Sequence, residues 1–185
     1  MIEHNAGIPK ERVLILDFGS QYTQLIARKI RELKVYAEIV PFHTAIEDIK
    51  KEKPSAIILS GGPSSIDEKG APQVSDEIFK LGVPVLGICY GLYIVVHAFK
   101  GMSSGASSRE YGRAFITLKE KSELFKGFSK KEQVWMSHGD KVVTMPEGFK
   151  IIASSENAEI AAIENKEKKV YGVQFHPEVY HTTSG

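Results

Sequence analysis

The sequence has one cysteine in 185 residues. No intramolecular disulfide can form, and no metal site can be built from paired thiolates. Such usage fits a reducing cytoplasm. Net charge is nearly absent too, with 24 Lys+Arg against 23 Asp+Glu and a formal +1. Without a strong field, non-specific attraction to nucleic acid or an anionic membrane is not favoured. Long apolar runs are missing: Val83–Ile88 and Ala56–Leu59 fall far short of the roughly 20 residues a membrane helix needs. The opening segment carries Glu3 where a secretory signal would be basic. The Gly-rich phosphate-binding loops of nucleotide sites do not occur, nor do internal repeats or low-complexity stretches. These absences lead to the expectation of a soluble, cytoplasmic protein with neither a membrane nor a nucleic-acid partner.

What is present suffices for a folded core. Hydrophobic residues make up 42% and charged residues 25%, an ordinary globular balance that excludes global disorder. The length fits one domain. Val13–Asp17, Ala56–Ser60 and Val83–Ile88 are short, nearly continuous apolar runs, the pattern of strands buried on both faces of a parallel sheet. Tyr36–Val40 also has strand character. Between them Tyr22–Leu33 spaces Tyr22, Leu25, Ile26, Ile30 and Leu33 as one helical face. Helices are further expected at Thr44–Glu52, with Thr44 as N-cap and Glu47 completing a capping box, at Gln73–Leu81 and at Gly91–Lys100. Strand and helix alternating in this way imply crossovers and a mostly parallel sheet.

The second half changes texture. Ser103–Ser108 reads as a Ser/Gly-rich loop. Short strand-like pieces follow at Ala114–Leu118, Val134–Met136, Lys141–Thr144, Ile151–Ser154, Ile160–Ile163 and Val170–Phe175. Turn signals at Pro146–Gly148 and Glu164–Lys168 suggest antiparallel hairpins. The expected fold is therefore α/β: a mostly parallel open sheet flanked by helices, with an added antiparallel region.

Cys89 carries the chemical signal. It stands between a buried strand and a helix as Gly87-Ile88-Cys89-Tyr90-Gly91, the glycine spacing of a nucleophile elbow. At a helix N-terminus the dipole and free N–H groups favour thiolate, the reactive form. A lone cysteine is more often an inert buried residue, but the flanking glycines and the strand-to-helix position reverse that. A thiol nucleophile needs a base, and the base an orienting group. Six histidines are available. His4 is near the terminus, His43 in a loop, His97 within the helix after Cys89, and His138 in an expected turn, Ser137–Asp140. His176 ends a strand and is followed by Pro177 and Glu178. In extended backbone His176 and Glu178 point to one side, and a carboxylate there can orient an imidazole. The competing readings are a surface ion pair and a metal site of His176, Glu178 and His181, for which no further ligand has convincing spacing. Gly61-Gly62-Pro63-Ser64 ends another strand at the same sheet edge. There two glycines can offer backbone N–H groups to an oxyanion, although such a sequence also marks ordinary turns.

Gly61-Gly62-Pro63, Gly87-Ile88-Cys89-Tyr90-Gly91 and Gln174-Phe175-His176-Pro177-Glu178, in this order and separation, resemble the class I glutamine amidotransferase family from about Arg12 to Gly185. Leu16–Tyr22, Arg109-Glu110-Tyr111-Gly112 and Trp135–Lys141 are similar to the branch that serves glutamine-hydrolysing GMP synthetases. The resemblance implies a flavodoxin-like core and a Cys89, His176, Glu178 triad that hydrolyses glutamine to glutamate and ammonia. It implies an oxyanion hole at Gly62 and Tyr90, and substrate contacts from Gly61, Tyr93, Ser137 and His138. The ammonia would pass to an ATP-pyrophosphatase domain or subunit that aminates XMP with ATP and Mg²⁺. No cofactor is implied in the present domain, and a homodimer of the full enzyme is compatible with it. Residues 1–11 would be an N-terminal extension and 12–185 the amidotransferase domain.

The chain departs from the family pattern at Leu92-Tyr93, where a small or apolar residue and then a substrate-binding Gln are usual. Tyr lacks an amide's donor and acceptor pair and is bulkier, so weakened glutamine binding is expected, relieved by Tyr93→Gln. Family members also continue past His181-Thr182 into a closing helix, and an ATP-pyrophosphatase motif is not found in these residues. Two alternatives follow: a docking or regulatory amidotransferase domain, and an amidotransferase for another acceptor, as in anthranilate or carbamoyl phosphate synthesis.

Overall fold

The computed structural model describes residues 11–185. The expected extension up to residue 10, with His4, and the Arg109 side chain lie outside the described residues. In chain order the elements are β1 Arg12–Asp17, α1 Thr23–Glu32, β2 Tyr36–Pro41, α2 Ile46–Glu52, β3 Ala56–Leu59, β4 Val85–Ile88, α3 Tyr90–Ala98, β5 Met102–Leu118, β6 Lys131–Thr144, β7 Lys150–Ser155, β8 Ala162–Asn165 and β9 Val170–Val173. They form a 9-stranded sheet in the order β2-β1-β3-β4-β9-β8-β7-β5-β6. The first five of that order pair in parallel, with the doubly wound order of a flavodoxin-like core. The remaining pairs are antiparallel. No helix among the described residues is long and apolar enough to cross a membrane.

Burial explains the sequence pattern. Leu14, Ile15 and Leu16 in β1 are fully buried, because helices cover both faces of this part of the sheet. α1 buries Ile26 and Ala27 and leaves its charged side in water. α3 is different: every residue from Tyr90 to Val96 is buried. It runs through the main core with Leu59, Ile78 and Ile163 around it, which accounts for its β-branched composition.

Five expectations are corrected. Ser103–Ser108 is not a loop but part of β5, and Ser137–Asp140 is not a turn but the middle of β6; the two strands pair Glu110 with His138 and Tyr111 with Ser137. Small polar residues suggest a loop locally, yet a long-range ladder pairs Ser103, Ser104 and Gly105 with β6 here. The turn at Pro146–Gly148 does not make a hairpin, since β5 lies between β6 and β7. Gln73–Leu81 forms only a 3-10 helix over Asp76–Lys80. Thr44 does not cap α2: Ala45 stands at the cap position, and the Thr44 hydroxyl donates to the Pro41 carbonyl at 2.7 Å.

The antiparallel region curls back on the parallel one. His176 N–H, just beyond β9, donates to the Trp135 carbonyl of β6 at 2.9 Å. The Trp135 N–H donates to Thr182 Oγ1 at 3.0 Å. A second core including Ile116, Val134, Met136, Ile152, Val173 and Phe175 fills the curl. The outermost strand is thereby carried over the carboxyl ends of the central strands, where α/β sheets bind ligands.

Candidate active site

Cys89 sits between β4 and α3 with φ 52° and ψ −103°, a conformation that strains any residue with a Cβ. The neighbouring glycines show why the turn closes only with this sequence. A Cβ on Gly87 would lie 2.2 Å from the Gly91 carbonyl oxygen, and one on Gly91 would lie 2.3 Å from that of Leu59. The turn is tied to both adjacent strands: Cys89 N–H donates to Val173 O at 2.8 Å and Gly91 N–H to Ser60 O at 3.1 Å. Tyr90, the first residue of α3, has an N–H of the kind that no intrahelical acceptor can reach.

His176 and Glu178 follow β9. The His176 Nδ1–H donates to Glu178 Oε1 at 2.7 Å with both side chains almost wholly buried, so the pair is not a surface ion pair. The Thr182 hydroxyl donates to the His176 carbonyl at 2.6 Å, and the Tyr22 ring stands edge-on to the imidazole at 5.0 Å between centroids. Burial opposes a charge on His176. The hydrogen bonds and charges of Cys89 and Glu178 outweigh it and push the His176 pKa up to about 10. An imidazolium is thus held beside the sulfur.

The Gly61-Gly62 turn completes this edge. A Cβ on Gly61 would lie 3.2 Å from His176 Cε1 and 3.7 Å from Cys89 Cβ. The turn therefore packs directly against both groups. A Cβ on Gly62 would lie 2.8 Å from the Phe18 carbonyl oxygen and 3.3 Å from the Tyr90 ring. From the other side β6 overhangs the sulfur, with Cys89 Sγ 3.6 Å from the Ser137 carbonyl oxygen. A cavity of about 780 Å³ opens beside this contact, lined by Gly62, Cys89, Tyr93, Ser137, His138 and His176 among others. All nine residues expected at the site from sequence surround this space or its immediate walls.

Two of them, Tyr93 and His138, line the cavity and also hold the backbone of β6. The Tyr93 O–H donates to the Asp140 carbonyl at 2.5 Å. Burial first, and then the neighbouring Cys89, hold the Tyr93 phenol well above its ordinary range, which keeps it a neutral donor. His138 is buried and doubly engaged, with Nδ1–H donating to the same Asp140 carbonyl at 2.7 Å and Nε2 3.2 Å from Glu110 Oε2.

The other histidines among the described residues are elsewhere. His97 bonds Ser103 Oγ at 2.9 Å, His43 packs on Phe42, and His181 stacks on Trp135 at 4.4 Å. Among the described residues no group of three or more His, Cys, Asp or Glu could hold a metal ion. Sequence reasoning missed Gln174, which is fully buried with its amide 4.0 Å from Cys89 Sγ. Its place two residues before His176, in the stretch expected from sequence to continue the strand, is the signal that could have found it. Glu110 stands in the Arg109–Gly112 motif, but only strand register shows that it faces His138.

Comparisons with known proteins give the family of the chain. GMP synthase [glutamine-hydrolyzing] of Brachyspira hyodysenteriae is 57% identical over 175 residues, covering 95% of this chain and 34% of that protein. The protein of the same name from Clostridium novyi is 53% identical, covering 97% and 35%. The chain thus spans about a third of the length of these curated relatives. Among solved structures, a putative GMP synthase subunit from Thermoplasma acidophilum superposes with TM-score 0.85 at 29% identity, covering 94% of this chain and 87% of that one. A glutamine amidotransferase from Thermotoga maritima shares the fold with TM-score 0.74, covering 91% of this chain and 76% of that one at 24% identity. The family profile of glutamine amidotransferase class-I matches residues 14–185. With that match running from the first strand to the last residue, the chain belongs to the class-I glutamine amidotransferases.

Proposed function

We propose that the protein hydrolyses glutamine through Cys89, His176 and Glu178 and supplies the ammonia for amination of XMP to GMP. The observation that carries the reading is the buried His176–Glu178 pair, 2.7 Å apart, beside a thiol lifted on a strained elbow. The Cys89 sulfur attacks the side-chain carbonyl carbon of glutamine. The oxyanion so formed is stabilised by the backbone N–H groups of Gly62 and Tyr90. His176 passes its proton to the leaving nitrogen, the C–N bond breaks, and ammonia departs from a γ-glutamyl thioester. His176 then takes a proton from water, whose oxygen attacks the thioester. Glutamate leaves and the thiol is restored. Glu178 keeps the imidazole in the tautomer and orientation that both steps need. Gly61, Tyr93, Ser137 and His138 form the walls against which the substrate sits.

The GMP assignment is supported by the curated relatives named GMP synthase at 53–57% identity. We infer that the ammonia acceptor is an ATP-pyrophosphatase domain or subunit, that ATP and Mg²⁺ act there, that no cofactor serves the present domain, and that the reaction is cytoplasmic. The test is ammonia release from glutamine with and without the synthetase part, XMP and ATP. Release is expected to be abolished by Cys89→Ala. Activity surviving that substitution refutes the assigned nucleophile.

A further inference from the structure

Tyr93 lies one helical turn beyond Cys89 on α3, and it is 3% exposed. Its oxygen is the meeting point of three elements distant in sequence. The O–H donates to the Asp140 carbonyl in β6 at 2.5 Å. Gln174 Oε1, just past β9, lies 3.0 Å from the same oxygen as a second acceptor of its O–H, and Gln174 Nε2 faces Cys89 Sγ at 4.0 Å. The Asp140 carbonyl is held from its other side by the His138 Nδ1–H at 2.7 Å. Asp140 belongs to the outermost strand of the sheet. Near the thiol that strand is otherwise tethered by the Cys89–Ser137 contact at 3.6 Å, a weak one because sulfur takes part. The His176–Trp135 bond secures it further along.

We propose that Tyr93 is a positioning residue for the amide substrate: its hydroxyl clamps the Ser137–Asp140 segment of β6 to the nucleophile helix and so sets the width of the cavity that receives a glutamine side chain. Its ring lines the cavity, while its hydroxyl acts on that space through Asp140 and Gln174. The inference rests on the glutaminase reading above. A clamp of this kind governs how a glutamine-shaped ligand is aligned with the sulfur and leaves the intrinsic reactivity of the sulfur alone. Removing the hydroxyl while keeping the ring should therefore separate the two.

The experiment compares the full chain with its Tyr93→Phe variant using two reagents for Cys89. One is a diazoketone analogue of glutamine, which must occupy the substrate cavity. The other is iodoacetamide, which need not. Tyr93→Phe is expected to lower the second-order labelling rate of the diazoketone roughly tenfold, the scale of one lost buried hydrogen bond. The iodoacetamide rate should stay unchanged, and thermal melting should show a folded variant. An unchanged diazoketone rate overturns the inference alone. So does an equal fall with both reagents, which would mean a general loss of structure. If the unsubstituted protein takes iodoacetamide at Cys89 but not the diazoketone, the glutaminase reading falls and the inference with it.

Discussion

The backbone at Cys89 makes a prediction about stability that runs against activity. With φ 52° and ψ −103° the residue occupies a region that glycine enters freely and a Cβ disfavours, at a cost of about 1–3 kcal/mol. Comparing Cys89→Gly with Cys89→Ala isolates this strain, because both lose the sulfur and its packing. Glycine relieves the strain but gains freedom in the unfolded chain, which offsets about 0.5–1 kcal/mol. The glycine variant is thus expected to be the more stable by about 1 kcal/mol, or about 2–4 °C in melting temperature for a chain of this size. Both variants should be inactive as glutaminases. The assay is thermal and urea unfolding of the two proteins under identical conditions at pH 7. A glycine variant equal to or less stable than the alanine variant would refute the claim that the elbow stores strain at the nucleophile.

The Gly62 turn can be tested in the same spirit. A Cβ there would press on the Phe18 carbonyl oxygen at 2.8 Å, so Gly62→Ala should shift the proposed oxyanion donor and lower glutaminase kcat by about 10²-fold; full activity in a folded variant would remove Gly62 from the oxyanion hole. His176 gives a pH prediction. Its pKa rises from 6.5 to about 10 on folding, so its charge stabilises the fold fully below about 6.5, and that stabilisation is lost as pH climbs toward about 10. The melting temperature should fall across this window, and less steeply in Glu178→Gln, where one of the attractions raising the pKa is weakened. Parallel curves for the two proteins would contradict the coupling.

The parallel half of the fold was legible because its information is local. Continuous apolar runs such as Leu14–Leu16 can satisfy burial on both faces only inside a covered sheet. The glycines around Cys89 were equally readable, since backbone atoms approach within 2.2–2.3 Å of where their Cβ atoms would be. The antiparallel half was misread where composition and pairing disagree. Nothing local distinguishes Ser103–Ser108 from a loop; its partner strand does. The Gln73–Leu81 periodicity likewise shrank to a 3-10 helix over Asp76–Lys80, in line with the modest weight of propensity against tertiary context.

By itself the sequence determined which residues could carry the chemistry: one cysteine on an elbow, a histidine and a glutamate two apart, and a pair of glycines at a strand end. Each of these depends on neighbours within a few residues. Only the tertiary structure decided what faces them. The curl of the sheet brings β6 over the thiol, buries the His176–Glu178 pair, and joins the Tyr93 hydroxyl to a carbonyl 47 residues distant. Contacts at that separation depend on strand order and register, which are set by packing of the whole sheet and leave no trace in any short stretch of the chain.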